Sequence, residues 1–358
     1  MTGGGDCPGL NAVIRAVVLK ARGLGWEVLG IEDATSGLID LDYRSPHGNR
    51  WLEPDDVEHI HTRGGTILGT SNRSDPFRFA TVVDGQKVEI DVSDRVVDNY
   101  HRLGLDALVS IGGDGSMRIA EALAQKGMRI VGVPKTIDQD LAGTDYTFGF
   151  QTAVETATEA LDRLHDTAKS HDRVMVLELM GRDAGWIALY SSVAGAAHVC
   201  LIPEIPYRYE PVIEAIHRRK AAGAPYSIVV IAEGAAPAGG QASHLGPRAA
   251  GEMPRLFGAG HRLASALEPH LHLEVRVTVL GHLQRGGSPV QFDRVLGTRF
   301  GVAAVDCILA GKFGHMVALR TPDIVSIPIA EAIGRTRRIE PDGQIVRQAK
   351  DVGICFGD

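Results

Sequence analysis

Only four cysteines occur in the 358 residues, Cys7, Cys200, Cys307 and Cys355, and no two form a CxxC pair. Their spacing fits neither a zinc site nor a disulfide framework, which leaves free thiols in a reducing cytoplasm. No apolar run approaches the length of a membrane span. The opening MTGGGDCPGLN lacks the basic n-region and apolar h-region of a signal peptide. Positive charge is not in excess either. The formal net charge is -7, which argues against a surface for nucleic acid or anionic membrane. An acidic chain that binds phosphates must concentrate its Arg and Lys locally.

At 358 residues the chain exceeds the size at which one core stops growing, so two domains are expected. With 44% hydrophobic and 23% charged residues, it has enough apolar surface to fold and is not a disordered chain. Short apolar runs predict strands at Val28–Glu32, Ala107–Gly112, Arg129–Val133, Arg173–Leu179, Ser227–Glu233 and Val275–Gly281. Several are apolar throughout, as strands buried on both faces of a parallel sheet should be. Helical periodicity predicts helices at Asn11–Arg22, Met117–Gln125, Phe150–His165 and Ala184–Ala194. The alternation gives an α/β fold with doubly wound, mainly parallel sheets, whose ligands belong at the carboxyl ends of the strands. The Gly-, Ala- and Pro-rich stretch Gly234–Gly260 reads as a long surface loop.

Three glycine-rich or acidic segments stand where strands end. Gly3-Gly4-Gly5-Asp6-Cys7-Pro8-Gly9 leads into a helix, where free amides and the helix dipole suit an anion; alone it is equally an ordinary tight turn. Such a loop normally follows a buried strand, and here it opens at residue 2, so either the start lies upstream or the strand is missing, and the slot left by a missing strand is expected to lower stability. Ile111-Gly112-Gly113-Asp114-Gly115-Ser116 places a carboxylate that suits Mg²⁺ beside glycines that suit nucleotide phosphates. Pro134-Lys135-Thr136-Ile137-Asp138-Gln139-Asp140 holds two carboxylates that suit proton acceptance and metal support; in isolation a solvated Asx-turn is the better explanation. Arginines recur at strand ends beside glycines: Arg182 in Met180-Gly181-Arg182, Arg285 in Gly281-His282-Leu283-Gln284-Arg285, and Arg73 and Arg78 after Gly64-Gly65. Several such guanidinium groups suit two phosphorylated ligands.

GGGDCPGLN, RGGTILGT, IGGDGS, PKTIDQD, GTDYTFGF, MGRDAGW and GHLQRGGSP, in this order from about Thr2 to Gly311, resemble the phosphofructokinase family. The resemblance implies a glycolytic, cytoplasmic kinase of fructose 6-phosphate that uses Mg²⁺. It implies a phosphoryl-donor domain at 1–149 plus 284–335, a fructose 6-phosphate domain at 150–283 plus 336–358, and an active site in the cleft between them. Asp138 would take the proton of the sugar 1-hydroxyl. Arg182 and the Gly4 amide would stabilise the transferring group, and Thr136 and Asp140 would line the site. Met180, Gly181, Glu233, His282 and Arg285 would grip the sugar phosphate. Arg173 and Arg276 would reach it across a subunit interface of a homotetramer or homodimer. Arg73, Arg78, Gly113, Gly115, Ser116 and Lys135 would line the donor side, and Asp114 would hold Mg²⁺.

The family divides between ATP and pyrophosphate as donor. Gly115 is the ATP-type residue, since an Asp there would fill the space of the α-phosphate and repel it. Lys135 resembles the pyrophosphate-type residue but is compatible with either donor, so ATP is expected. A non-catalytic binding subunit would be expected to lose Asp138 or Arg182, and both are present. Gln139 stands where the family usually has Asn, and Thr35 where it usually has an adenine-stacking aromatic. Leu19, His198 and Ala224-Pro225 replace effector-pocket residues whose neighbours Arg15 and Arg63 remain, so weak activation by ADP is expected.

Overall fold

The computed structural model of the protein describes residues 1–43, 48–83, 85–244 and 256–358. The chain divides into two units: Met1–Ile137, Leu141–Thr152 and Arg285–Arg335 form the first, and Asp138–Asp140, Ala153–Gln284 and Thr336–Asp358 the second. Each has its own sheet and its own core.

In the first unit the run Ile130–Pro134 is buried at every residue, and such a run is stable only between neighbours on both sides. Leu108–Gly112 flanks it on one side and His315–Arg320 on the other, both parallel. Asp323–Pro328 closes the sheet as an antiparallel edge. Pro134 ends its strand because it has no N–H to donate. Gly132 lacks a side chain for a packing reason, since a Cβ there would lie 2.7 Å from Met117 Sδ. Helix Leu10–Gly23 lies against helix Gln291–Leu309 through Gly297 and Gly301, four residues apart on one face. A Cβ on Gly301 would come within 2.6 Å of the Val13 carbonyl oxygen, so these helices approach at backbone distance.

Residues Met1 to Gly3 continue this sheet beyond Leu108–Gly112. Thr2 bridges Ile111 in parallel, and the Gly3 amide donates to Ile111 O at 2.9 Å. Beside them lies a cavity of about 560 Å³, lined by Ile14, Val18, Leu29, Leu105, Leu108 and Val305 among others. The predicted strand Val28–Glu32 is reduced to Leu29–Gly30, antiparallel to Arg50–Trp51.

The second unit has four parallel strands in the order Val275–Val279, Val174–Leu179, Ser227–Ala232, Val199–Leu201. The two central strands are buried at all six positions each. Leu263, Leu267 and Leu271 of helix Ala259–Leu271, with Val212 and Ile216 of helix Tyr209–Ala221, pack on this sheet. The Gly234–Gly260 stretch ends in that first helix, at Ala259 and Gly260, and its residues 245–255 lie outside the described ones. Helix Phe150–His171 runs beyond its predicted end at His165. Among the described residues no helix is long and apolar enough to cross a membrane.

Candidate active site

The second unit gathers Met180, Gly181, Arg182, Glu233 and His282 just past the carboxyl ends of three adjacent parallel strands. This is where an open α/β sheet presents its ligand-binding loops. The loop carrying Arg182 has a tight floor. Gly181 has φ 138°, a conformation that disfavours side chains, and its carbonyl accepts the Gly234 amide at 3.1 Å. A Cβ on Gly234 would lie 1.9 Å from Arg182 O. Gln284, fully buried, accepts the Met180 amide at 2.8 Å. Glu204, one strand further on, accepts the Gly185 amide with both oxygens at 3.1 Å and the Ile339 amide at 2.9 Å. Burial holds the Glu204 carboxyl above its usual range, while these amides and Arg338 pull it back down. Gln284, Glu204 and Gly234 escaped the motif reading. Gln284 at least stands inside GHLQRGG, which was the available signal.

Asp138, Gln139 and Asp140 belong to this same unit. Asp138 is half-buried with Oδ1 enclosed. Gln139 takes a positive φ of 54° and is 1% exposed. The Asp140 carbonyl accepts the Arg337 amide at 2.8 Å. Arg173 and Arg276 stand elsewhere. They lie at the amino ends of the strands whose carboxyl ends carry Arg182 and His282, and both pair with Glu274. A strand of six residues spans about 20 Å, so within one chain these two arginines sit at the far edge of the sheet from Arg182.

The first unit holds the donor-side residues and Arg285. Its glycines are required by close approach: a Cβ on Gly112 would lie 2.4 Å from Ser116 Oγ, and one on Gly3 2.8 Å from it. Gly4 has φ 80°, and its amide donates to Ser71 O at 3.1 Å. Lys135, 4% exposed, donates through Nζ to Gly5 O. Arg285 donates to Asp6 O at 3.3 Å. The Thr136 carbonyl accepts the Thr147 hydroxyl at 2.7 Å. Arg73 and Arg78 are exposed, and Arg78 faces Asp75 at 3.4 Å. Gly113 precedes helix Asp114–Gln125, and a Cβ on Gly115 would meet nothing within 4 Å.

Asp114, in the first turn of that helix, accepts Arg118 Nε at 2.7 Å and the Gly334 amide at 2.9 Å, one on each oxygen. A carboxylate has about four lone-pair sites, so both oxygens keep acceptor capacity. Among the described residues no group of three His, Cys, Asp or Glu converges as a protein-only metal site. A single partly exposed carboxylate next to open space fits Mg²⁺, which typically takes one or two carboxylates and completes its shell with phosphates and water.

Two further groups lie outside these loops. Asp293 is fully buried and accepts the Thr152 amide at 2.8 Å and its hydroxyl at 2.6 Å, tying helix Gln291–Leu309 to the start of Phe150–His171. Burial pushes its carboxyl up to about 6 against those hydrogen bonds. His198 lies beside a cavity of about 520 Å³ that Arg218, Arg219, Ala224 and Lys350 also line. This cavity thus has cations on helix Tyr209–Ala221 and near the C-terminal end that the motif reading did not anticipate.

The phosphofructokinase family model matches residues 1–308. An ATP-dependent 6-phosphofructokinase of Chloroflexus aggregans is 51% identical over 358 residues, covering 100% of this chain and 97% of that relative. A pyrophosphate–fructose 6-phosphate 1-phosphotransferase of Amycolatopsis methanolica is 48% identical over 345 residues, covering 96% of each. Phosphofructokinase of Pichia pastoris in its T-state superimposes with a TM-score of 0.78 at 28% identity, over 98% of this chain and 38% of that one. The chain belongs to the phosphofructokinase family.

Proposed function

We propose that this chain is an ATP-dependent 6-phosphofructokinase, transferring the γ-phosphoryl group of ATP to the 1-hydroxyl of fructose 6-phosphate. The observation that carries the choice of donor is Gly115, whose position opens onto free space in the first turn after Gly113. A nucleotide's α-phosphate has room there, and relatives at 51% identity bear the ATP-dependent name. Lys135 and the Amycolatopsis relative favour pyrophosphate as the second reading. The Lys135 ammonium lies beside Gly4 and Gly5, where it suits a compact anion.

In the mechanism, Asp138 accepts the proton of the sugar 1-hydroxyl as that oxygen bonds to the γ-phosphorus. The bond to the β–γ bridging oxygen breaks and ADP leaves. Arg182 bears on the charge spread over the equatorial oxygens. Asp114 would hold Mg²⁺, which when bound would neutralise charge on the donor. The first unit takes the donor, and Thr136, Asp138, Asp140, Met180, Gly181, Glu233, His282 and Arg285 hold the sugar phosphate. Arg173 and Arg276 serve the site of a second copy in a homotetramer or homodimer, which their place at the far strand ends supports. Four free thiols suit a reducing cytoplasm. Asp138→Ser should lower kcat by about 100- to 10,000-fold with little change in KM for fructose 6-phosphate, because proton acceptance belongs to the transition state. An unchanged kcat would remove Asp138 from the mechanism.

A further inference from the structure

We infer that Arg337 is a positioning residue for phosphoryl transfer, fixing the loop that carries Asp138 to the loop that carries Arg182. The inference rests on the roles proposed above for those two side chains. Its geometry lies wholly within the second unit.

Arg337 touches both loops at once. Its amide donates to the Asp140 carbonyl at 2.8 Å, two residues from the base. Its carbonyl accepts Trp186 Nε1 at 2.9 Å, four residues from Arg182. Its guanidinium carbon lies 4.8 Å from the Trp186 ring centroid, covering the indole. The indole is 8% exposed, and a stacked guanidinium at a mostly desolvated ring is the favourable case for a cation–π contact. The side chain therefore holds the ring whose N–H holds the backbone that holds Asp140.

The other end of this short segment is anchored too. Ile339 is 2% exposed, and its amide reaches Glu204, which also grips Gly185, the neighbour of Trp186. Gly185 allows this because a Cβ there would lie 2.5 Å from Ile202 and 3.1 Å from Glu204 Oε2. Two backbone segments far apart in sequence, 138–140 and 180–186, thus share one support, Arg337–Ile339. Proton acceptance and charge stabilisation occur in the same transition state, so the two side chains must keep their spacing, and a shift of about 1 Å is enough to cost ~100-fold in rate. Substrate affinity depends on each loop separately and is less sensitive to that spacing.

Kinetics and amide exchange on the full-length protein test this. Arg337→Ala should lower kcat by roughly 10- to 100-fold while KM for fructose 6-phosphate and for ATP stays within about 2-fold. Arg337→Lys keeps a cation over the indole and should recover most of the loss. Trp186→Phe keeps a ring but loses the N–H, and should also lower kcat. The double variant should be no slower than the worse single, since the pair acts as one unit. Amide exchange in 138–140 and 180–186 should quicken together in Arg337→Ala. Should that variant fail to fold, Trp186→Phe carries the same two expectations. An unchanged kcat in Arg337→Ala and Trp186→Phe, or a loss that appears wholly in KM, overturns the inference while leaving the kinase reading intact. If the wild type turns over no fructose 6-phosphate, the kinase reading fails instead. The exchange data then decide the coupling alone, and unchanged exchange in both segments overturns it.

Discussion

Gly234 carries no side chain, yet it decides where Arg182 can be. With 1.9 Å between a Cβ at 234 and the Arg182 carbonyl, Gly234→Ala must displace the backbone of Arg182, the arginine proposed to stabilise the transferring group. It should lower kcat by about 100-fold, measured against a small change in thermal midpoint; a normal kcat would show that the loop yields freely. Gly115 is the converse case. Its surroundings are open, so Gly115→Asp should fold normally and lower kcat/KM for ATP by about 100-fold or more, through repulsion of the α-phosphate. Undiminished use of ATP would remove the steric argument for the donor. Asp138, Arg182 and Gly115 could be named as candidates from the sequence because each stands in a motif. Gly234 and Glu204 were not, because their importance is a distance to another segment, and one sequence holds no distances.

Elements were legible in proportion to how completely they are buried. Ile130–Pro134, Val174–Leu179 and Ser227–Ala232 are apolar runs flanked by glycine or charge, and they emerged within a residue or two of prediction. Val199–Leu201 has only three residues, too few to show a period. Helix Gln291–Leu309 was missed because Phe292, Val295, Val302 and Leu309 are exposed apolar residues, which blur the amphipathic pattern. The short strand Val199–Leu201 begins after His198, which accepts the Ile228 amide through Nδ1 at 2.8 Å and so must be neutral there. Burial, then Arg219 and His165, lower its pKa from 6.5 to about 3. Below about pH 6.5 the unfolded chain gains a proton on this ring that the folded chain refuses, so the term lowers stability as pH falls toward 3. The slope is at most about 1.4 kcal/mol per pH unit. Asp293 acts in the opposite sense, because a raised carboxyl pKa makes the folded state bind the extra proton between about 6 and 3.8. Comparing His198→Asn with wild type isolates the histidine: the variant should lose less of its thermal midpoint between pH 6.5 and 4.5. Parallel curves would contradict the neutral-acceptor role.

At the scale of the whole molecule, the position of Arg173 and Arg276 matters most. Within one chain they neutralise Glu274 at the amino ends of their strands, about 20 Å of strand from Arg182. A sugar-phosphate site that uses them must borrow them from a second copy. Co-expressed Asp138→Ser and Arg276→Ala chains, each inactive alone, should regain activity when assembled together, since some sites then receive Asp138 from one copy and Arg276 from another. No recovery would place Arg276 outside the site. The α/β architecture was legible from the alternation of strands and helices and its division in two from chain length, whereas a site shared between copies would depend on contacts a single sequence does not encode locally. The central claim concerns the reaction itself, and initial rates with purified protein, Mg²⁺ and fructose 6-phosphate test it most directly. Formation of fructose 1,6-bisphosphate should run at least ~10-fold faster with ATP than with pyrophosphate, the margin one α-phosphate clash or its absence readily produces. Faster turnover with pyrophosphate, or none with either donor, would contradict it.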